Sequence, residues 1–281
     1  MQEIEFLNEP YGCKAVLRSN TTPEIVSHLR ERSVTGLELN VSKGWRGNLK
    51  FLSDIPSLKE LAVIQIGGGE IDLSPIQELT SLTHLSLSTY SKNNIDFRRF
   101  PNLLDCSLEW QPGFSSIFGV SGLKRLFLSG YSTASSEEFA NLKDLEELSI
   151  KNTGIKSLFG ISQLHGLRRL TLGLAKNLDS LAGVERLSQL VELEINTCKK
   201  LSSIEPISSL KRLRILLIVE CGDIASLKPI EGLTDLSKVM FYGSTNFLDG
   251  DLSPLTRLPE PLEVSFKNRK HYNMKREDFA N

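Results

Sequence analysis

Leucine recurs along this chain on a beat. The register Leu-x-x-Leu-x-Leu starts at Leu58, Leu82, Leu123 and Leu167, completed by Leu61/Val63, Leu85/Leu87, Leu126/Leu128 and Leu170/Leu172. Close variants start at Leu103, Leu145, Leu190, Leu213 and Leu236, and degenerate copies start at Val34 and Pro261. The eleven starts are spaced by 20 to 25 residues, about 23 on average, within the range of stacked structural repeats. Apolar residues alternating with polar ones predict a short strand in each copy, buried on one face. Residues two, four and six after each start then point to the other face. A second apolar block follows, as in Ile155, Leu158, Ile161 and Leu164, or Leu201, Ile204, Ile207 and Leu210. It predicts a returning segment of short turns. One copy cannot bury its own apolar edge, and stacking turns these leucines into continuous columns.

On these residues the chain resembles the leucine-rich repeat family over most of its length. Thr153, Cys198 and Cys221 stand where that family carries Asn or Cys, and the usual Asn is absent from this position in every copy. The spacing is similar to the short-repeat subfamily, which includes regulatory subunits of type-one protein phosphatases and internalin-like bacterial repeats. The resemblance implies an α/β fold: a leucine-rich repeat solenoid, curved like a horseshoe, with a parallel concave sheet and a convex side of short 3₁₀ turns and loops. It also implies a protein-binding role. An N-terminal cap over 1–33, an array over 34–266 and a C-terminal cap or tail over 267–281 are expected, because an open end would leave the core wet. In the first of these, Ala15-Val16-Leu17 reads as a strand. Thr21-Thr22-Pro23-Glu24 opens a helix with capping-box spacing, and Ile25 and Leu29 face the first repeat.

The outward rows are mostly polar. The first reads Gly36, Glu60, His84, Asp105, Arg125, Glu147, Arg169, Glu192, Ile215, Lys238 and Glu263. Its alternating charges are expected to pair along the row, since neighbouring strands lie about 4.8 Å apart. The middle row (Ala62, Ser86, Ser107, Ser149 and Thr171 among others) is small-sided and leaves a floor open to a guest. One strand breaks the rule. Ile215, Leu217 and Val219 all face outward, beside Met240 and Tyr242 of the next copy. A contiguous apolar patch of this kind marks a contact surface. Its occupant is either a protein partner or the chain's own C-terminal segment folded back. Glu194 and Asn196 flank it as a polar rim, and Phe127 and Trp110 are outlying aromatic candidates.

Composition narrows the classes. Lys+Arg is 33 against Asp+Glu 34 in 281 residues, which argues against a nucleic-acid binder working by bulk charge. The longest purely apolar run is Ile215–Val219, too short to span a bilayer, and the acidic N-terminus does not read as a signal peptide. Cys13, Cys106, Cys198 and Cys221 are widely separated, which fits a reduced cytoplasmic setting. Cys198 and Cys221 occupy equivalent positions of adjacent copies and read as stacked loop residues rather than a metal or redox pair. Gly67-Gly68-Gly69 reads as a turn, and Asp249-Gly250-Asp251 as a turn before a short helix rather than a calcium cage. The four histidines fall in unrelated places and make no Cys/His or Ser/His set. The expectation is a non-catalytic module without cofactor or metal, monomeric when unbound. It would hold a protein partner on its concave face as an inhibitor, adaptor or regulatory subunit. A bacterial antitoxin or immunity protein is one version and a phosphatase-type regulator another. A self-associating scaffold, or an enzyme using Glu192 and Glu194 as a carboxylate pair, are the alternatives.

Overall fold

Two residues after each start of the repeat, a strand begins. This is seen in a computed structural model that describes residues 3–9, 12–67, 69–91 and 93–279. The chain forms two compact units, 1–126 and 127–281. The first holds β1 (Ile4–Glu9), β2 (Gly12–Leu17), the helix α1 (Pro23–Glu31), β3 (Gly36–Asn40), β4 (Glu60–Ile64), β5 (His84–Ser88) and β6 (Asp105–Glu109). The division falls within β7 (Arg125–Ser129). The second holds β8 (Glu147–Lys151), β9 (Arg169–Gly173), β10 (Glu192–Asn196), β11 (Ile215–Val219), β12 (Asp223–Ile224), β13 (Lys238–Tyr242), β14 (Asn246–Phe247) and β15 (Glu263–Phe266). Short 3₁₀ helices such as Ser74–Glu78 and Glu205–Ser209 supply the return segments.

In the first unit β1 pairs antiparallel with β2, and β2 to β6 follow in parallel. In the second, β8, β9, β10, β11, β13 and β15 pair in parallel in that order. Registers align copy with copy: Glu192 lies opposite Arg169 and Ile215, and Leu193 opposite Leu170 and Leu216. The inward leucines are sealed, with Leu193, Leu216 and Leu170 at 0% exposure. A backbone device repeats with them. The carbonyl one residue after a start accepts two N–H groups of the next copy, as Thr35 does from Lys59 and Glu60, and Val191 from Arg214 and Ile215.

The helix α1 is capped by Thr22, whose hydroxyl accepts from Ile25 N, so the cap sits one residue later than the Thr21…Glu24 spacing suggests. Ile25 and Leu29 are buried. At the far end, Phe241 stacks on Phe266 with centroids 4.9 Å apart and meets Phe247 edge-on at 4.9 Å. Tyr272 closes on both Phe241 and Phe266. Arg269 donates to the Gly243 and Thr245 carbonyls, and the Asn273 side chain accepts from Leu252 N. The C-terminal segment thus spends these contacts on the last turns and the aromatic core.

The residue seven after the starts Leu145, Leu167, Leu190 and Leu213 takes a left-handed backbone: Asn152, Leu174, Thr197 and Glu220 have φ of 50, 52, 55 and 53°, and Gly130 and Gly243, seven after Leu123 and Leu236, have 81 and 70°. Each non-glycine N–H there donates to the next copy, Leu174 to the Asn196 carbonyl at 2.8 Å and Thr197 to Val219 at 2.8 Å. These bonds hold a conformation that costs an L-residue about 1–2 kcal/mol. Leu174 is the clearest misfit, being 44% exposed with nothing to gain from its side chain's position. Leu174→Asn is expected to raise stability by about 1 kcal/mol, since Asn tolerates this region. Urea unfolding checks this: the midpoint should rise at unchanged slope, and a fall would contradict it.

Candidate functional site

The outward rows lie where the alternation puts them, and their charges are largely spent on one another. Arg125 Nε donates to Asp105 at 2.6 Å, and Arg125 also reaches His84. Lys14 pairs with Glu60, Arg169 with Glu147, and Lys238 with Glu263 at 3.0 Å. The participants are partly exposed, so each pair contributes about 0–1 kcal/mol. In the first unit this fence encloses a hollow of about 430 Å³ over Ala62, Ser86 and Ser107, bounded by Lys14, Glu60, His84 and Asp105.

The second unit carries the apolar exception. Leu217 lies in register with Glu194 on one side and Met240 on the other, and Val219 with Asn196 and Tyr242. Ile215, Leu217, Val219 and Met240 are half-buried among their neighbours, and Tyr242 is 46% exposed. Phe127 is half-buried under the Lys151 ammonium, 5.7 Å from its ring centroid, so this ring is engaged within its own unit. Trp110 belongs to the first unit, where it packs on Phe118 at 5.6 Å. Five of the nine named residues thus form one contiguous apolar surface, and Glu194 and Asn196 border it.

Sequence reasoning missed the two most exposed large apolar side chains among the described residues. Ile66 and Tyr90 are 77% and 66% exposed in the loops after β4 and β5. They stand eight residues after their starts, where the second unit buries Tyr131, Thr153, Ala175, Cys198 and Cys221. Inward placement was therefore the natural reading. The clue was the Gly67–Gly69 run, whose residue 68 lies outside the described residues. Gly67 has φ 74°, and the Gln65 amide donates to the Gly69 carbonyl. This local turn carries Ile66 out.

The absent Asn ladder is replaced by shorter donors. The Thr153 hydroxyl donates to the Tyr131 carbonyl at 2.9 Å, Thr245 to Ile218 at 3.0 Å, and the Cys198 and Cys221 thiols to Leu172 and Ile195. The hydrogen bond between the two thiols, together with burial, pushes the Cys198 thiol far up, and burial does the same to Cys106. Neither is a thiolate nucleophile near neutral pH. Asp249-Gly250-Asp251 is a turn: the Asp251 carboxylate accepts from Ser253 N and from the Asn273 side chain, and the Ser253 bond lowers its pKa. Among the described residues no three His, Cys, Asp or Glu side chains come together to hold a metal. Among the described residues no helix is long and apolar enough to cross a membrane.

The parallel one-strand-per-copy sheet with 3₁₀ returns decides the architecture. The chain has the leucine-rich repeat fold. Solved structures share it. An internalin from Listeria monocytogenes superposes with a TM-score of 0.58 at 19% identity, over 91% of this chain and 87% of that one. A leucine-rich repeat protein from Leptospira interrogans gives 0.53 at 16%, over 90% and 82%. Internalin C2 of L. monocytogenes gives 0.51 at 19%, over 76% and 83%. No protein-family model matches the sequence, and no curated protein matches it. At these identities the likeness concerns the leucine-rich repeat fold alone.

Proposed function

We propose that this protein is a non-catalytic interaction module that holds a protein partner on its concave face and acts by occupying that partner, as an inhibitor, adaptor or regulatory subunit. The reading rests on β11, a strand with apolar residues on both faces. Leu216 and Ile218 serve the core, while Ile215, Leu217 and Val219 continue into Met240 and Tyr242 on the open side. The part of an outward apolar strand face that stays in water favours removal from it by a partner, at about 25 cal/mol per Å² of apolar area covered. The leucine-rich repeat fold supports the interaction class, because its open strand face is a ready surface for another chain. A carboxylate pair at Glu192 and Glu194 has no metal-holding set beside it among the described residues, which weighs against the enzyme reading.

Leu217→Arg and Met240→Glu should each abolish capture of the partner from a native lysate while moving the melting temperature by no more than about 2 °C, because surface changes remote from the core cost little. A collapse of the melting temperature would mean that these side chains belong to the fold's own core. Sedimentation at rising concentration should give a monomer. A dimer dispersed by Leu217→Arg would put a second copy in the partner's place.

A further inference from the structure

Burial of Leu217 under a partner has an unavoidable electrostatic consequence. Glu194 is its register neighbour, half-buried between Thr171 and Leu217, and Glu192 is the register neighbour of Ile215. Adjacent strands lie about 4.8 Å apart, so no side chain can cover these apolar residues without also stripping water from the two carboxylates. The other row charges of this unit are already committed, Glu147 to Arg169 and Lys238 to Glu263. Among the described residues neither Glu192 nor Glu194 has an ion-pair or hydrogen-bond partner for its side chain. A carboxylate dehydrated without a partner strongly opposes binding, and a desolvated cation beside it reverses the sign.

We infer that the occupant of this surface is a protein segment that presents a lysine or arginine next to its apolar contact residue, with the cation over Glu194 and Glu192 and the apolar side chain over Leu217, Met240 and Tyr242. This rests on the reading of the patch as a protein-binding surface, and it adds the partner's chemistry and its direction. The cation lies over β10. It does not lie over β15, where Lys267 follows the strand and Lys238 is tied to Glu263. A segment that is apolar alone, or apolar and acidic, leaves Glu194, which lies between Thr171 and Leu217, buried and uncompensated, whereas Glu192 has Arg169 as a register neighbour. Arginine suits the position best, because its planar fork can engage a carboxylate through two hydrogen bonds.

The test is a random peptide library displayed on phage and selected on the full chain at physiological salt. Each clone is then counter-screened on Leu217→Arg, so that only those seated on the patch are kept. The retained clones should carry Lys or Arg within a few residues of Leu, Met, Phe or Tyr. They should bind the Glu192→Gln/Glu194→Gln variant at least tenfold more weakly. Changing the clone's cation to Glu should abolish binding to the native chain and restore it on Glu194→Lys. Clones lost on Leu217→Arg but showing no basic enrichment, or indifferent to the glutamine variant, would overturn the inference and leave the surface assignment standing. If no clone is lost on Leu217→Arg, the surface assignment falls and the inference with it.

Discussion

Replacing Phe241 by alanine should cost about 4 kcal/mol and open the C-terminal end of the second unit before the rest of it. The magnitude follows from removing a large ring from a site too rigid to refill, for which Phe→Ala changes lose about 3–5 kcal/mol. Phe241 is 1% exposed and central to a cluster in which every ring touches another. It stacks on Phe266 and meets Phe247 and Tyr272 edge-on, while Phe266 contacts Tyr272 and Phe279 in turn. Pairs of this kind add about 0.5–1.5 kcal/mol beyond their buried area. Their loss also weakens the last segment, since Tyr272 reaches its position by packing on these rings and by accepting from Phe247 N. In a stack, each copy leans only on its neighbours, so the damage should stay local. Amide exchange should therefore accelerate in β13 and β15 and remain near native values in β8 and β9. A uniform loss along the unit, or a cost below about 2 kcal/mol, would contradict this account. Phe241→Leu, which keeps much of the volume, should cost about 1–2 kcal/mol.

Gly160→Ala is the second large effect, expected at about 3 kcal/mol for the addition of a single methyl group. A Cβ at Gly160 would overlap the Ser136 carbonyl, and the Glu137 Cα stands 2.7 Å away. These are backbone atoms of the preceding copy, and they cannot turn aside as a side chain would. They are also pinned. The buried Ser136 hydroxyl donates to the Ser157 carbonyl at 2.8 Å and accepts from Gly160 N at 3.1 Å, binding the two copies together at the point of closest approach. Accommodating the methyl group means separating them. Gly122→Ala is the control, because a Cβ there meets nothing within 4 Å, and it should change stability by no more than about 0.5 kcal/mol. Chemical unfolding of both variants decides the matter. Equal midpoints would show that the copies can part freely at Gly160.

How far such positions could be read from the sequence depends on whether their cause is periodic. The strands and their facing were legible, because a period of two with one buried face leaves a single register. Slipping Leu193 and Ile195 by one residue would expose both. The Asp105–Arg125 and Glu147–Arg169 pairs of the first row followed from the same register, whereas Glu192, the last of its alternating charges, has no ion pair among the described residues. The left-handed position after the strands from β7 to β11 and β13 was hidden. Gly130, Asn152 and Gly243 hint at it, but Leu174, Thr197 and Glu220 do not, and its cause is a backbone bond to the next copy rather than any residue preference. Ile66 was overlooked for a related reason: the family pattern reads inward where the local turn at Gly67 sends the chain outward. At the C-terminal end, nothing repeats. The partnership of Arg269 with two carbonyls and of Tyr272 with three rings is tertiary, and no spacing rule reaches it.

The paired acceptance of two N–H groups by one carbonyl at the head of successive strands has a consequence for how this molecule can change over evolutionary time. That contact uses main-chain atoms alone, as in Thr83 receiving Leu104 and Asp105, or Arg168 receiving Val191 and Glu192. It re-indexes the copies that carry it at their strands, so differences of up to five residues in copy length disappear into the return segments before the next strand begins. The display of side chains is thereby uncoupled from the frame that carries it. On the proposed reading of this surface, substitutions at Glu194, Leu217 or Met240 would redirect what it accepts without disturbing the alignment of the rows around them. New specificity is open to this scaffold through single codon changes on an otherwise unaltered lattice.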